Sequence, residues 1–171
     1  VIEDMIHSKN IFDAIGMGAL DGGRVVLVVS AMLIGYLSLL ALLNGIFDGL
    51  IGIDLTTIVG YIFSPIAFLM GVPADEMLQA GSIMGTKLIS NEFVAILDFQ
   101  PIMGELSDKT VSILSTFLMS FANFSSIGIV AGAVQAVNGF KAKEVSSFGL
   151  KMLLVATMAS ILSATLVGLF N

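Results

Sequence analysis

Residues 81–97 read GSIMGTKLISNEFVAIL, two short apolar pieces separated by Ser90, Asn91 and Glu92. Each piece is shorter than the roughly 20 residues that an α-helix needs to cross the hydrocarbon core of a bilayer. Two half-length helices that meet at a polar tip form a hairpin that enters and leaves the membrane on one side, and such backbone is tolerated only where protein or a water-filled cavity covers it. The stretch therefore predicts a re-entrant hairpin over residues 74–104, with its tip at 90–93.

Glu92 is the most informative residue of this tip. An ionisable side chain at bilayer depth costs about 2.5–3.5 kcal/mol on insertion scales, so something must compensate for its charge. One interpretation is a carboxylate in a solvated cavity that accepts hydrogen bonds from a polar solute or carries a coupling proton. The alternative is a structural pairing with Lys87 or with a backbone amide. Lys87 is five residues away rather than the favourable three or four, which favours the functional interpretation.

A second polar break lies at residues 120–128, which read SFANFSSIG. Asn and Ser side chains offer the backbone alternative hydrogen bonds, so we expect the helix to be interrupted near 121–126. Asn123 and Ser126 share a helix face, whereas Phe121 would point nearly the opposite way. All three line one cavity only if the helix unwinds, an arrangement that transporters use near the midplane. The alternative is that Asn123 and Ser126 bridge helices and Phe121 faces lipid.

The first arm of the hairpin carries Gly81 and Gly85, a GxxxG spacing that lets a helix pack closely on a neighbour. We expect this neighbour to be the interrupted helix. The hairpin and that helix would then move as one rigid group relative to the rest of the chain, as bundles do in broken-helix transporters.

The remaining chain divides into apolar segments. Residues 25–47 carry no charge and are long enough to span a bilayer. The predicted segments are an interfacial amphipathic helix at 1–20, a long scaffold transmembrane helix at 21–50, an interfacial or re-entrant helix at 53–73, the hairpin at 74–104, a transmembrane helix at 110–140 and a last transmembrane helix at 145–171. A basic loop with Lys141 and Lys143 would precede the last helix, and the positive-inside bias then places the C-terminus outside.

The composition excludes several classes of protein. The chain is 57% hydrophobic and 12% charged, with a mean hydropathy of +1.03, far from the roughly 25% charged residues of soluble domains. A net charge of -6 with one arginine argues against nucleic acid as a partner. Without cysteine, and with His7 as the only histidine, the sequence offers no metal cluster. We therefore predict an all-α integral membrane protein, and the start at Val1 without Met suggests part of a longer chain.

The combination of GSIMGTKLISNEFVAI, SFANFSSIGI and the upstream DGGRVVLVVSAMLIGYLSLLALLNGIF resembles the C-terminal portion of the concentrative nucleoside transporter family over essentially the whole chain. The resemblance implies a homotrimeric importer, not an enzyme, that moves nucleosides across a bacterial inner membrane and is driven by a Na+ or H+ gradient. It also implies that the first long helix belongs to a scaffold.

The resemblance also implies roles for single residues. In this family the acidic residue of the NEF tip binds the ribose, which here is Glu92, and the asparagine and serine of FANFSS also contact the ribose, which here are Asn123 and Ser126. The phenylalanine that opens this motif, here Phe121, lies beside the nucleobase. Asn91 and Ser125, which adjoin these residues, are the expected supporting residues.

One departure from the family pattern limits this prediction. The first hairpin of the family, with a GxxQTE-type tip that reads the nucleobase, is absent from these residues, as is the neighbouring helix of the sodium site. We therefore expect no cofactor or metal site here, and a coupling cation bound mainly by the other half of the transporter. Two alternatives stay open from the residues alone: a channel-like pore with a ring of Glu92 at its axis, and a structural membrane subunit without a solute site.

Overall fold

The structure is a computed structural model that describes residues 10–137 and 139–171. Within these ranges it is helical and contains no β-strand, which confirms the predicted all-α fold class. The helices in chain order are α1 (Ile11–Ile51), α2 (Leu55–Leu69), α3 (Met77–Ile89), α4 (Glu92–Phe99), α5 (Asp108–Leu118), α6 (Phe124–Val137) and α7 (Gly139–Phe170), with a 3₁₀ helix at Gln100–Glu105 between α4 and α5.

Helix α1 is continuous over 41 residues, about 60 Å at the helical rise of about 1.5 Å per residue. The predicted boundary between the segments 1–20 and 21–50 is wrong, because residues 21–23 lie inside the helix. Asp21 there forms a 3.2 Å ion pair with Arg24 one turn later, and a glycine costs a helix only about 1 kcal/mol relative to alanine. Residues 1–9 of the predicted interfacial helix lie outside the described residues.

The chain turns sharply between α1 and α2. Gly52 ends α1 with a φ of 72°, a left-handed conformation that glycine adopts without a steric penalty. The end of α1 and helix α2 meet at an angle of 89°, and the Asn44 amide donates a 3.2 Å hydrogen bond to the Thr56 hydroxyl across this bend. Pro65 lies within α2 without ending it. The predicted segment 53–73 thus contains a shorter helix that leaves α1 nearly at a right angle.

Helices α3 and α4 form the helical hairpin that the sequence predicts, with the turn at Ser90 and Asn91. Its first arm packs on α2 so closely that a Cβ on Gly81 would lie 2.5 Å from the carbonyl oxygen of Gly60, and a Cβ on Gly85 would lie 2.7 Å from a methyl group of Val59. The close packing predicted from GxxxG is confirmed. The predicted neighbour is wrong, because both glycines face α2 rather than the interrupted helix.

The interruption of the next helix is also present, since α5 ends at Leu118 and α6 begins at Phe124. Helix α5 lies in the middle of the apolar core, where Ile113, Leu114 and Phe117 are completely buried. Around it lie buried residues of α2, α3, α4 and α7, among them Ala67, Met84, Ala95 and Ala164. The core therefore fixes the end of α5 next to the hairpin.

Helix α7 starts earlier than predicted. The predicted start at 145 is wrong, because the helix begins at Gly139 and the expected basic loop forms its first turns. There Lys141 pairs with Glu144 at 2.7 Å, the i to i+3 spacing that stabilises exposed helices. Residues 143–170 form one helix that is long and apolar enough to cross a membrane.

Candidate functional site

The predicted site residues meet where the hairpin tip contacts the break between α5 and α6. Glu92 is the first residue of α4, and Asn91 caps this helix by accepting a 3.0 Å hydrogen bond from the backbone N–H of Val94. The Asn123 amide nitrogen donates a hydrogen bond of 2.5 Å to Glu92 Oε2. The two polar breaks of the sequence, 31 residues apart, thus form one polar cluster.

Asn123 organises the other side of this cluster. Its carbonyl oxygen Oδ1 accepts hydrogen bonds from the Ser126 backbone N–H at 2.7 Å, from the Ser126 hydroxyl at 2.8 Å and from the Ser125 hydroxyl at 2.7 Å. The first of these caps α6, since the leading N–H groups of a helix have no partner within it. Asn123 is 1% exposed, so its orientation is fixed by bonds on both ends of the amide.

The position of Glu92 explains how its charge is tolerated. Its carboxylate lies in the first turn of α4 and is hydrogen-bonded to the residue that caps α6. A helix N-terminus carries a partial positive charge, so both helices stabilise an anion at this point. Glu92 and Lys87 form no direct ion pair, because the Lys87 ammonium donates to the carbonyl oxygen of Phe117 and to the Ser120 hydroxyl.

Phe121 lies beside this cluster rather than opposite to it. Residues 119–123 are not helical, so Phe121, Asn123 and Ser126 line one cleft of about 120 Å³. The Phe121 side chain is 75% exposed. The remaining walls of the cleft are apolar and come from the unwound segment, α6 and α7, with Ala122, Ile127, Val130, Met152, Leu153 and Ala156, whereas Glu92 is not among the lining residues. Unwinding has therefore brought Phe121 to the same cleft as Asn123 and Ser126, whereas a regular helix would have placed it on the opposite face.

The hairpin tip holds two donor groups without a partner among the described residues. The amide nitrogen of Asn91 and the hydroxyl of Ser90 are buried and form no hydrogen bond there. Buried donors of this kind are costly when unsatisfied and are usually paired in native proteins. They adjoin Glu92 in sequence, so the tip has spare donor capacity next to its carboxylate.

Sequence reasoning missed Lys87 as a distinct feature of the site region. The sequence indicates Lys87 only as a possible partner for Glu92. In the structure its side chain is completely buried and is hydrogen-bonded to the end of α5. A charged residue within an otherwise apolar arm was the available signal. Its true partners lie 30 and 33 residues away, and only the tertiary structure shows them.

The described residues contain no cluster of three or more His, Cys, Asp or Glu side chains. The oxygen atoms at the end of α5, the Phe117 carbonyl and the Ser120 hydroxyl, already bind the Lys87 ammonium. These oxygens are therefore not available to a free cation in this structure.

Comparison with known proteins gives consistent matches. Residues 2–168 match a family model described as "Na+ dependent nucleoside transporter C-terminus". The chain is 46% identical to the "Uncharacterized transporter YutK" of Bacillus subtilis, over 95% of this chain and 42% of that protein. It is 39% identical to the "Purine nucleoside transport protein NupG" of the same organism, over 98% of this chain and 44% of that protein.

Solved structures agree with these matches. An intermediate-state structure of CNTnw has a TM-score of 0.89 with 35% identity and covers 95% of this chain and 43% of that one. The inward-facing substrate-bound state of CNTnw has a TM-score of 0.82 with 34% identity, over 96% of this chain and 42% of that one. The chain thus spans less than half the length of the curated relatives and structures that it matches.

Proposed function

The chain belongs to the family of Na+-dependent nucleoside transporters, and we propose that it supplies the ribose-binding half of a secondary active nucleoside importer. Members of this family are integral membrane transporters rather than enzymes. The single observation that carries the proposal is the hydrogen bond between Glu92 and Asn123, which joins the hairpin tip to the cap of a broken helix. Transporters place their solute sites between such half-helices.

The sugar is the part of a nucleoside that this cluster suits. Glu92 offers a carboxylate that only accepts hydrogen bonds, whereas Asn123 offers an amide that both donates and accepts. Ribose hydroxyls can donate to Glu92 and can accept from the second N–H of the Asn123 amide, whose oxygen already accepts three hydrogen bonds. Ser126 contributes a hydroxyl on the cleft that Phe121 and Asn123 also line. Asn91 and Ser125 act as supports, since Asn91 caps the helix that carries Glu92 and Ser125 fixes the Asn123 amide.

Phe121 is suited to the nucleobase. Its ring is largely exposed at the edge of the cleft, and aromatic rings gain from stacking on other flat aromatic surfaces. A nucleoside whose ribose contacts Glu92 and Asn123 would place its base over this ring. Residues outside this chain would then read the edge of the base.

The same proposal covers the membrane topology, the oligomeric state and the coupling ion. The hairpin α3–α4 is re-entrant in the membrane, and the transporter is a homotrimer of the bacterial inner membrane with its C-terminus outside. Uptake is coupled to a Na+ or H+ gradient, and the cation binds mainly to parts of the transporter outside this chain. The description of the family as Na+ dependent and the relative named "Sodium/nucleoside cotransporter 1" support coupling to a cation.

The alternative of a channel-like pore is less well supported. A pore would need Glu92 to face an axis shared by several copies, whereas its carboxylate here is bound to Asn123 of the same chain. A purely structural subunit is also less well supported, since the cluster lies next to the largely exposed Phe121 ring, which helix capping and packing do not require.

Uptake by the full-length protein in liposomes tests the proposal. Radiolabelled uridine and adenosine should accumulate with saturation when an inward Na+ or H+ gradient is imposed, and accumulation should stop when an ionophore removes the gradient. Uptake that follows the solute gradient without saturation would support a pore, and no uptake of either nucleoside under any gradient would contradict the proposal.

A further inference from the structure

Lys87 in α3 is among the largest fully buried side chains of the described residues, and it carries a charge. Its ammonium donates hydrogen bonds of 2.7 Å to the carbonyl oxygen of Phe117 and to the hydroxyl of Ser120. It also lies 4.1 Å from the centroid of the Phe117 ring, within the range of a cation–π interaction. A buried charge is costly unless it is paired and hydrogen-bonded, so these contacts are the reason that the fold can contain this lysine.

The Phe117 carbonyl lies at the end of a half-helix. It is one of the last carbonyls of α5, which have no partner within their helix. A helix C-terminus also carries a partial negative charge that favours a cation. In broken-helix transporters, half-helix C-termini of this kind coordinate a free coupling cation. Here the ammonium group of the hairpin's own lysine lies at that position.

We propose that Lys87 is a positioning residue of the nucleoside site, a tethered cation that holds the hairpin against the end of α5. The inference rests on the proposed function and adds a further residue to it. The hairpin then presents one charge to each end of the break: the Lys87 ammonium to the C-terminal end of α5, and the Glu92 carboxylate to the cap of α6. Each charge has the sign that stabilises the helix end it meets.

The contact extends beyond the break to α7. Ser120 Oγ lies 2.5 Å from Ser160 Oγ, and the Ser160 hydroxyl donates at 2.8 Å to the carbonyl oxygen of Ala156. The donors can therefore all point one way, from Lys87 through Ser120 and Ser160 to the backbone of α7. This chain fixes three elements around the break: α3, the unwound segment and α7. Loss of the ammonium would free the hairpin tip. The distance between Glu92 and Asn123 would then no longer be fixed.

The direct test replaces Lys87 by Met in the full-length protein, which keeps the length of the side chain and removes its charge. Because the hairpin tip would lose its fixed position, uridine binding should weaken at least about tenfold, which corresponds to about 1.4 kcal/mol. Spin labels at the exposed residues Leu97 and Met119 should show a broader distance distribution without nucleoside. The matched control Lys143→Met, at an exposed position of α7, should change neither measurement.

A second variant keeps the lysine and removes one of its acceptors. Ser120→Ala should weaken binding several-fold and broaden the same distribution, whereas Ser163→Ala, an exposed serine that bonds only to its own helix, should not. Lys87→Met and Ser120→Ala break the same chain of hydrogen bonds. The double variant Lys87→Met/Ser120→Ala should therefore bind uridine no more weakly than Lys87→Met alone.

The possible outcomes separate this inference from the proposed function. Wild-type affinity and an unchanged distance distribution in Lys87→Met would overturn it, as would additive effects in the double variant. If Lys87→Met does not fold, Ser120→Ala decides, and wild-type behaviour there overturns the inference. If the unmodified protein binds no nucleoside, the proposed function fails, while the distance measurement alone still tests whether Lys87 positions the hairpin.

Discussion

Asn123 donates a hydrogen bond of 2.5 Å to Glu92, so the residue that caps α6 is bound to the first residue of α4. One amide therefore stabilises a helix end with its oxygen and a carboxylate with its nitrogen. A polar solute that reaches this cluster meets groups that are already oriented. Such preorganisation lowers the free-energy cost of ordering side chains when a ligand binds.

Replacement of Asn123 by Ala should affect both stability and binding. Loss of the cap on α6 should lower the free energy of unfolding by about 0.5–2 kcal/mol, and loss of the amide should weaken uridine binding in the full-length protein. Asn123→Asp should bind more weakly still, because two carboxylates would then lie next to each other. Thermal unfolding and radioligand binding measure the two effects.

The matched control is Asn171→Ala, an exposed residue whose amide bonds to the backbone of its own helix. It should leave the melting temperature and the affinity unchanged. Full binding by Asn123→Asp would show that Glu92 and Asn123 do not share a ligand.

The packing of α3 on α2 should be sensitive to a single methyl group. The added Cβ of Gly81→Ala would lie 2.5 Å from a backbone oxygen and 2.6 Å from a backbone nitrogen of α2, and backbone cannot rotate away as a flexible side chain can. We expect a clear fall in melting temperature and a smaller yield of folded protein. Gly49→Ala, at a position of α1 with no atom within 4 Å of the new Cβ, should not lower the melting temperature, because alanine favours a helix by about 1 kcal/mol over glycine. A Gly81→Ala protein with the melting temperature of the unmodified protein would contradict this packing.

The structure changes the group of elements expected to move together. Since the hairpin packs on α2 through its two glycines, α2 should travel with the hairpin, and the 89° bend after α1 should be the hinge. Spin labels at the exposed Tyr61 and Leu97 should keep their distance between inward- and outward-facing states, whereas labels at Leu39 and Leu97 should not. Residue 87 is unsuitable for a label because it is fully buried. A change in both distances would show that the hairpin moves without α2 and would contradict this grouping.

Much of the fold could be predicted because polar residues within apolar runs are local signals. The tip at Glu92 and the interruption near Asn123 both follow from the cost of burying polar groups in a membrane. The failed boundaries, at residues 21–23 and before 145, relied on weaker signals. Glycines and exposed charges alter helix stability by only about 1 kcal/mol or less, and a long helix continues through them.

Long-range partners of the site could not be predicted in the same way. The neighbour of Gly81 and the acceptors of Lys87 depend on how the helices pack, and no local pattern encodes them. The contact between Glu92 and Asn123 is similar, since the residues predicted that the hairpin packs on the interrupted helix through Gly81 and Gly85, not through a hydrogen bond between the two polar breaks.

The central claim is that Glu92 binds the sugar, and the most direct measurement is equilibrium binding of radiolabelled uridine and adenosine to purified full-length Glu92→Gln. The control is Glu105→Gln, the same change at an exposed residue of the 3₁₀ helix. A hydrogen bond to a charged acceptor contributes about 1.5–3 kcal/mol. Glu92→Gln should therefore bind both nucleosides at least about tenfold more weakly. Glu105→Gln should match the unmodified protein. Unchanged affinity in a folded Glu92→Gln protein would contradict the account.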